Sequence, residues 1–431
     1  MTIASLAQPI IGAALVAAAW LLPRRIAGAR LVPGPQLLLD AAIWFVGAAL
    51  LMIATGRPLF TGFVVITLSA GFALADHTMR QTLREPVVFC TVSEFPQLFT
   101  HPHLYLPFAG PGLVIGGAAA GLAAATCLLL LEPPPVQPEP FAALAMLAFL
   151  IALCVLIVRE PLLGVTARLL RRLNPTDDPE ADAATLGPFG MLFVHGVIAR
   201  AERTARQRLL AAPAILRVGA GPAAPVVIVQ CESFFDARRV SPLVPADLLP
   251  GFDACCGAAA QFGRLQVPGW GANTMRSEFA VLTGIPESDL GYDRFNPYFA
   301  LARVPLASQV WRMRRAGYRT ICLHPFDRRF FRRDRVLGLA QHRIDDGTAE
   351  PMRGKVDALR RRAAAGPDHV IAVRLVKAEI LEGRREARQV IAVKRQPALT
   401  AALLETFGQD LQHPVGAAHA IEIAQQLVAL R

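Results

Sequence analysis

The sequence predicts a bundle of membrane-spanning helices followed by an α/β domain. The chain has 431 residues, 54% of them hydrophobic, and its mean hydropathy of +0.41 is too apolar for an ordinary soluble enzyme. Apolar runs long enough to cross a bilayer are concentrated before residue 159. After residue 224, short apolar runs alternate with helical patterns, which is typical of a parallel sheet covered by helices.

The membrane domain, residues 1–158, contains five apolar segments that we expect to span the bilayer. A spanning helix needs about 20 predominantly apolar residues. The five segments are 8–22, 36–55, 59–76, 110–131 and 140–158. The rest of the chain is predicted to form Arg-rich linker helices, an α/β core and an atypical helical tail, over residues 159–223, 224–347 and 348–431.

The net charge of +11 indicates a negatively charged partner. Because the sequence has no nucleic-acid-binding motif, we favour anionic membrane lipid over nucleic acid. Two features of the sequence give opposite predictions of the membrane orientation. Five spans that start inside the cell would leave the α/β core outside, whereas Arg24, Arg25 and Arg30 after the first span favour the reverse by the positive-inside rule.

A carboxylate follows the first predicted strand of the α/β core. Residues 226–229 form a short β-branched run, typical of a buried parallel strand, and Glu232 comes soon after it. Ligands of open α/β sheets bind beyond the carboxyl ends of the strands, so Glu232 lies where a functional carboxylate is expected. Taken alone, such a residue is more often a loop residue that caps backbone groups.

A Gly-rich loop then leads into a predicted helix of residues 275–282, which Gly284 ends. Asn273 or Thr274 is expected to cap the helix start. Because a helix N-terminus favours anions, the Thr274 hydroxyl is a candidate nucleophile for metal-assisted phosphoryl transfer. A threonine in this position is nevertheless more often a cap than a nucleophile.

Together these residues form a longer motif. Glu232-Ser-Phe is followed by Gly269-Trp-Gly-Ala-Asn-Thr274-Met-Arg-Ser-Glu-Phe and then by Leu282-Thr-Gly. This order and spacing resemble the catalytic core of the lipoteichoic acid synthase and phosphoglycerol transferase family, which belongs to the sulfatase and alkaline phosphatase superfamily. The resemblance covers roughly residues 225–346. It implies an alkaline-phosphatase/sulfatase-like α/β domain in which Glu232 binds a divalent metal, Mn²⁺ or Mg²⁺, and Thr274 is both metal ligand and nucleophile.

The resemblance also implies substrate residues and partners. His324 follows a second predicted strand, residues 318–323, and Arg333 lies in the aromatic-rich segment after it. In the family a similar histidine and arginine line the pocket for the phosphoglycerol group, and an arginine fork suits phosphate oxygens. Without the resemblance, His324 is equally explained as a strand-end histidine with no ligand, and Arg333 as part of a solvated basic face.

The implied reaction moves a phosphoglycerol group from phosphatidylglycerol to a cell-envelope glycan. The implied location is the bacterial cytoplasmic (inner) membrane, with several membrane passes and the catalytic domain outside the cytoplasm. A sulfatase-like hydrolase and a phosphoethanolamine transferase are alternatives with the same fold. A sulfatase would normally have Cys or Ser in place of Thr274.

The sequence departs from the family pattern after Gly347. Family members complete the metal site with an Asp-His pair at the end of a later strand. Here Asp368 and His369 precede the apolar run 370–373 instead of following it. The α/β domain is therefore expected to be incomplete at its C-terminal side, with helices over 355–365, 374–389 and 417–431. This departure favours a further alternative, a catalytically inactive truncated relative with a membrane scaffolding role.

Overall fold

In the computed structural model the chain divides into two compact units. The described residues are 3–93, 110–133, 140–176, 178–211, 226–231, 236–239, 242–263, 267–268, 273–323, 330–336 and 370–376. The first unit comprises Met1–Ala205 with Gly291–Phe295, and the second comprises Arg206–Leu290 with Asn296–Arg431. The apolar helices belong to the first unit and Thr274 to the second.

The described part of the first unit is almost entirely helical. Its helices are α1 (Ile3–Ile26), α2 (Pro35–Thr55), α3 (Pro58–Leu83), α4 (Pro111–Leu131), α5 (Pro140–Ile157), α6 (Leu162–Arg171), α7 (Pro179–Leu186) and α8 (Pro188–Leu210), the last of which continues into the second unit. Many begin with proline, whose fixed φ suits the first helical position and whose missing N–H is not needed there. Each predicted span corresponds to one of α1 to α5, although α1 and α3 run longer than expected.

Several of these helices are compatible with a multi-pass membrane protein. Within the described ranges, α1 to α4 are long and apolar enough to cross a membrane. Helices α5 and α6 are bent by 72° at the break between them, and the pair is a fifth candidate only if it forms one broken span. The described residues therefore contain four or five candidate spans, where the sequence predicted five.

Helices α1 and α3 pack closely at two glycines. A Cβ added to Gly62 would lie 2.8 Å from the carbonyl oxygen of Gly12, and a Cβ added to Gly12 would lie 2.4 Å from the carbonyl oxygen of Pro58. Small residues allow helix backbones to approach in a membrane, where apolar burial gives little drive for association. The Ser69 hydroxyl adds a hydrogen bond of 2.6 Å to the carbonyl of Ala19.

A buried ion pair joins α1 to α2. Arg24 Nη1 donates to Asp40 Oδ2 at 2.7 Å, and the two side chains are 2% and 0% exposed. Trp20 Nε1 donates to the same oxygen at 2.8 Å, and the backbone N–H of Gly190 donates to Asp40 Oδ1 at 2.8 Å. Arg24 is therefore compensated inside the unit and does not act as an exposed loop charge.

A second buried pair connects α7 to α8. His195 Nε2 and Asp182 Oδ2 are 2.7 Å apart, and both side chains are buried. The Asp182 carboxylate also accepts from the backbone N–H of Thr176 at 2.8 Å. The Tyr292 ring packs on the imidazole, with ring centroids 4.4 Å apart. This network anchors the first half of α8, which is buried in the core of the first unit.

The second unit combines helices with three described strands. Its elements are β1 (Val226–Cys231), α9 (Pro250–Ala258), α10 (Thr274–Thr283), α11 (Pro297–Ala300), α12 (Gln309–Arg315), β2 (Arg319–Leu323), α13 (Arg333–Val336) and β3 (Val370–Val376). The predicted strands at 226–229 and 318–323 correspond to β1 and β2. A buried apolar cluster built on Phe279, Leu282 and Leu301 packs around α10 and α11.

The described strands form a parallel sheet in the order β1-β3-β2. Val226 of β1 and Thr320 of β2 both pair with Ile371 of β3, so the three strands are aligned. Because they run in the same direction, their carboxyl ends meet at one edge of the sheet.

Strand β3 differs from the sequence prediction. The segment 348–431 was expected to be helical, with one helix starting at residue 374, yet residues Val370–Val376 form the central strand of the sheet. The run is rich in β-branched residues, and pairing with a neighbour on each side satisfies its backbone groups. The other predicted helices of this tail lie outside the described residues.

Candidate functional site

Thr274 is the first residue of α10 and is partly exposed. The helix ends at Gly284, which adopts a left-handed φ of 69° and donates its N–H to the carbonyl of Ala280 at 2.8 Å. Residues 275–279 are buried, which fixes the helix in the core of the second unit. The hydroxyl of Thr274 is thus held at a helix N-terminus, where the helix dipole favours negative charge.

A buried ion pair anchors the same helix. Arg333 Nε donates to Glu278 Oε1 at 2.7 Å and Arg333 Nη2 donates to Glu278 Oε2 at 3.0 Å, with both side chains at most 4% exposed. The Tyr298 hydroxyl also donates to Glu278 Oε1. Arg333 lies over the aromatic rings of Tyr298 and Phe331, at 5.9 and 5.3 Å from their centroids. Two parallel charge-assisted hydrogen bonds make this a strong, oriented contact.

Arg333 is bound to Glu278, which lies one helical turn after Thr274 in α10. Thr274 and Glu278 are one helical turn apart, so their side chains share a face. Side chains on a helix also lean toward its N-terminus, which directs the Glu278 carboxylate toward the turn of Thr274. Arg333 is therefore anchored to α10 through Glu278. Contact between Arg333 and a substrate stays a prediction.

The other two predicted site residues, Glu232 and His324, lie outside the described residues. The strands that precede them in the chain are described. β1 ends at Cys231 and β2 ends at Leu323, directly before these residues in the chain, and the two strands are parallel. Asp368 and His369 are also outside the described residues. In sequence they come directly before β3, whereas Glu232 and His324 come directly after their strands.

The chain is similar to the capsular polysaccharide biosynthesis protein RkpI of Rhizobium meliloti (strain 1021). The two are 28% identical over 295 residues, which make up 66% of this chain and 54% of RkpI. The chain thus spans about half the length of this relative. No protein-family model matches the chain.

The described residues do not by themselves form a divalent-metal site. Among them, no group of three or more His, Cys, Asp or Glu side chains is placed to hold a metal ion. Glu278, the carboxylate one turn from Thr274, is engaged at both oxygens by Arg333 and Tyr298. A Mn²⁺ or Mg²⁺ ion bound by Glu232 and Thr274 therefore stays a prediction from the sequence.

Resolved pKa shifts in the second unit cluster around Arg238, which lies in sequence between the Glu232 and Gly269 parts of the motif. Its guanidinium hydrogen-bonds Asp253 at 2.6 and 2.8 Å and Asp236 at 2.8 and 2.9 Å. These hydrogen bonds hold the pKa of both aspartates below the usual value and raise the pKa of Arg238. Burial raises the pKa of the Cys256 thiol in α9.

Sequence reasoning missed the role of Glu278, although the residue is part of the recognised motif. The buried face of α10 was a usable signal, because a carboxylate on it must find a cationic partner. Arg333 is 55 positions away along the chain, and nothing local identifies it as that partner.

Proposed function

We propose that this protein is a membrane-bound transferase that moves a phosphoglycerol group from phosphatidylglycerol to a cell-envelope glycan. The observation that carries the proposal is the partly exposed residue Thr274 at the start of a helix held by the Glu278–Arg333 pair. Similarity to a protein of capsular polysaccharide biosynthesis supports the link to a cell-envelope glycan. The apolar helices supply the membrane attachment that a lipid substrate requires.

In the proposed reaction the Thr274 oxygen attacks the phosphorus of the lipid phosphodiester. The bond from phosphorus to the diacylglycerol oxygen breaks, and diacylglycerol leaves with a proton. A hydroxyl of the glycan then attacks the same phosphorus, which transfers glycerophosphate to the glycan and returns the Thr274 hydroxyl. The N-terminus of α10 stabilises the negative charge that develops on the phosphoryl oxygens. Arg333 and His324 are proposed to position the glycerophosphate.

We further propose that the second unit faces the outside of the cell, with α1 to α4 as the complete spans. If α1 starts outside, the end of α1 with Arg25 and the α1–α2 loop with Arg30 lie inside, and so does the α3–α4 connection with Arg84. Both locations obey the positive-inside rule, and four crossings return the chain to the outside. The bent pair α5 and α6 then enters the membrane without crossing it.

The test is diacylglycerol release from phosphatidylglycerol vesicles by the full chain. Thr274→Ala is expected to lower turnover by at least about a thousandfold, because the nucleophile is lost. Thr274→Ser should keep part of the activity, since it keeps a hydroxyl. Thr283→Ala is the matched control, because Thr283 lies at the other end of the same helix and its hydroxyl hydrogen-bonds the carbonyl of Phe279 and the N–H of Ile285. Equal turnover in the native protein and in Thr274→Ala would refute the proposal and favour a scaffolding protein.

A further inference from the structure

A buried amide lies directly before the candidate nucleophile. Asn273 is 9% exposed, and its side-chain nitrogen Nδ2 is buried. Within the described part of the chain, this nitrogen has no hydrogen-bond partner. A buried donor without an acceptor is costly, and native proteins keep few of them, so each such group calls for an explanation.

Asn273 occupies the N-cap position of α10 without acting as a side-chain cap. A capping asparagine normally accepts a hydrogen bond from a backbone N–H in the first helical turn. Asn273 has backbone angles φ −75° and ψ 44° and makes no side-chain capping bond. Its backbone carbonyl does contribute at this end, accepting from the N–H of Arg276 at 3.2 Å.

Asn296 shows what the ordinary arrangement looks like in the same unit. It is the N-cap of α11, it is 4% exposed, and its Oδ1 accepts from the N–H of Phe299 at 3.0 Å. The two asparagines thus share residue type, burial and helix position. They differ in that the side chain of Asn273 is not used by its own helix.

The chemistry of the Asn273 amide NH₂ group indicates which kind of ligand it would bind. An amide NH₂ group only donates hydrogen bonds, so its complement is an oxygen acceptor. At the N-terminus of α10 the helix dipole favours an anionic oxygen over a neutral one. The nearest carboxylate along the helix face, Glu278, is neutralised by Arg333 and therefore does not cancel this preference.

We infer that Asn273 Nδ2 binds a non-bridging oxygen of the phosphate group that Thr274 attacks. The inference rests on the proposed function, because it takes the phosphate to be brought to Thr274. Since the non-bridging oxygens keep or gain negative charge as the phosphoryl group is transferred, the same hydrogen bond would stabilise the transition state. Asn273 is thereby a substrate-binding residue in addition to those identified from the motif.

Inorganic phosphate is the probe, and the full chain in detergent micelles is the sample. Phosphate binding is measured as the concentration-dependent rise in melting temperature. Asn273→Ala should weaken phosphate binding by about tenfold or more, the usual value of a hydrogen bond to a charged group. Asn273→Asp keeps the shape of the side chain but places a carboxylate beside the anion, and it should abolish binding. The Asn273→Asp variant also provides the test of phosphate binding if Asn273→Ala folds poorly.

Asn296→Ala is the matched control. It removes a cap, so it should lower the melting temperature without phosphate while leaving phosphate affinity unchanged. Phosphate also stabilises folded proteins generally by exclusion from their surfaces, an effect that all variants share, so only differences between variants count. Native phosphate affinity in both Asn273 variants, or no saturable phosphate binding by the native protein, would overturn the inference.

Lipid turnover separates this inference from the proposed function. Phosphate binding that depends on Asn273, together with turnover that does not depend on Thr274, would retain the anion site and reject the transferase. Turnover that depends on Thr274, together with phosphate binding that is indifferent to Asn273, would retain the transferase and reject the role of Asn273.

Discussion

Replacing Arg333 by alanine tests whether a buried ion pair holds the helix that carries Thr274. The substitution would leave the Glu278 carboxylate, which is 1% exposed, without its bidentate partner. Removing one member of a buried pair typically costs about 3–5 kcal/mol, because the remaining charge is not compensated. We expect a loss of that size in the stability of the second unit. The contacts of Arg333 with the rings of Tyr298 and Phe331 are lost as well.

The neighbouring Arg332 provides the control. Its guanidinium carbon lies 3.9 Å from the centroid of the Phe299 ring, and the residue is only partly buried. A cation–π contact of this kind is worth about 0.5–2 kcal/mol, so Arg332→Ala should cost clearly less than Arg333→Ala. The free energy of opening is measured from proteolysis rates of the full chain in detergent, with the fragments identifying which unit opens.

A double variant, Glu278→Leu with Arg333→Met, gives the decisive comparison. Replacing a buried ion pair by apolar residues is often neutral or stabilising, so the double variant should recover most of the stability lost in Arg333→Ala. A cost for Arg333→Ala no larger than for Arg332→Ala, or a double variant no more stable than Arg333→Ala, would refute the reasoning. If the stable double variant still turns over lipid, Arg333 acts by positioning α10. If it is stable and inactive, substrate contact by Arg333 is favoured.

Three further predictions concern other parts of the chain. Asp40→Ala should destabilise the first unit by about 3–5 kcal/mol in thermal melts, because it leaves Arg24 buried and unpaired, while Asp40→Asn should cost less. Gly62→Ala should cost about 1–3 kcal/mol, since its Cβ would lie 2.8 Å from the backbone oxygen of Gly12. Arg238→Ala should cost about 1 kcal/mol or less at neutral pH. Arg238 lowers the pKa of Asp236 and Asp253 in the folded state, so their stabilising contribution is present above the unfolded pKa of about 4 and is lost as the pH falls through the folded pKa values. The difference in melting temperature between the native protein and Arg238→Ala should therefore vanish in acid.

The sequence predicted best those elements that local pattern determines. Helices α1 to α5 follow from long apolar runs, and α10 was predicted to within about a residue because Gly284 ends it. Strand β3 was missed for the opposite reason. Its seven residues are followed by a charged stretch that suggests a helix, and their strand conformation depends on pairing with β1 and β2, which are distant in sequence.

In the candidate site, too, the sequence predicted the features that depend on local pattern and missed those that depend on the tertiary fold. The place of Thr274 at a helix start could be predicted from the Gly-rich loop and the helical pattern that follows it. The partner of Glu278 could not, because the pairing with Arg333 depends on the tertiary fold. The capping role suggested for Asn273 was also a local inference, and the structure shows the N-cap position without the side-chain bond. Residue type thus predicted the position of Asn273 but not the use of its side chain.

Because Arg24 is buried in an ion pair, it is not one of the loop charges from which the membrane orientation is inferred. The positive-inside rule concerns cations in loops close to the membrane, and a 2% exposed arginine paired with Asp40 is not one of them. The exposed Arg25 at the end of α1 and Arg30 in the α1–α2 loop still favour an inside location for this loop. That location is compatible with a second unit outside the cell only if the number of crossings is even.

Epitope insertion into the chain, with antibody access measured in intact spheroplasts, tests this count. An epitope after Leu31, which is 57% exposed in the α1–α2 loop, should be accessible only after the membrane is permeabilised. An epitope after Leu243, which is 91% exposed in the second unit, should be accessible without permeabilisation. Opposite sides for the two epitopes are what four crossings require, because three of them, α2 to α4, separate the two positions. Finding both epitopes on the same side would mean that the α5 and α6 pair also crosses the membrane.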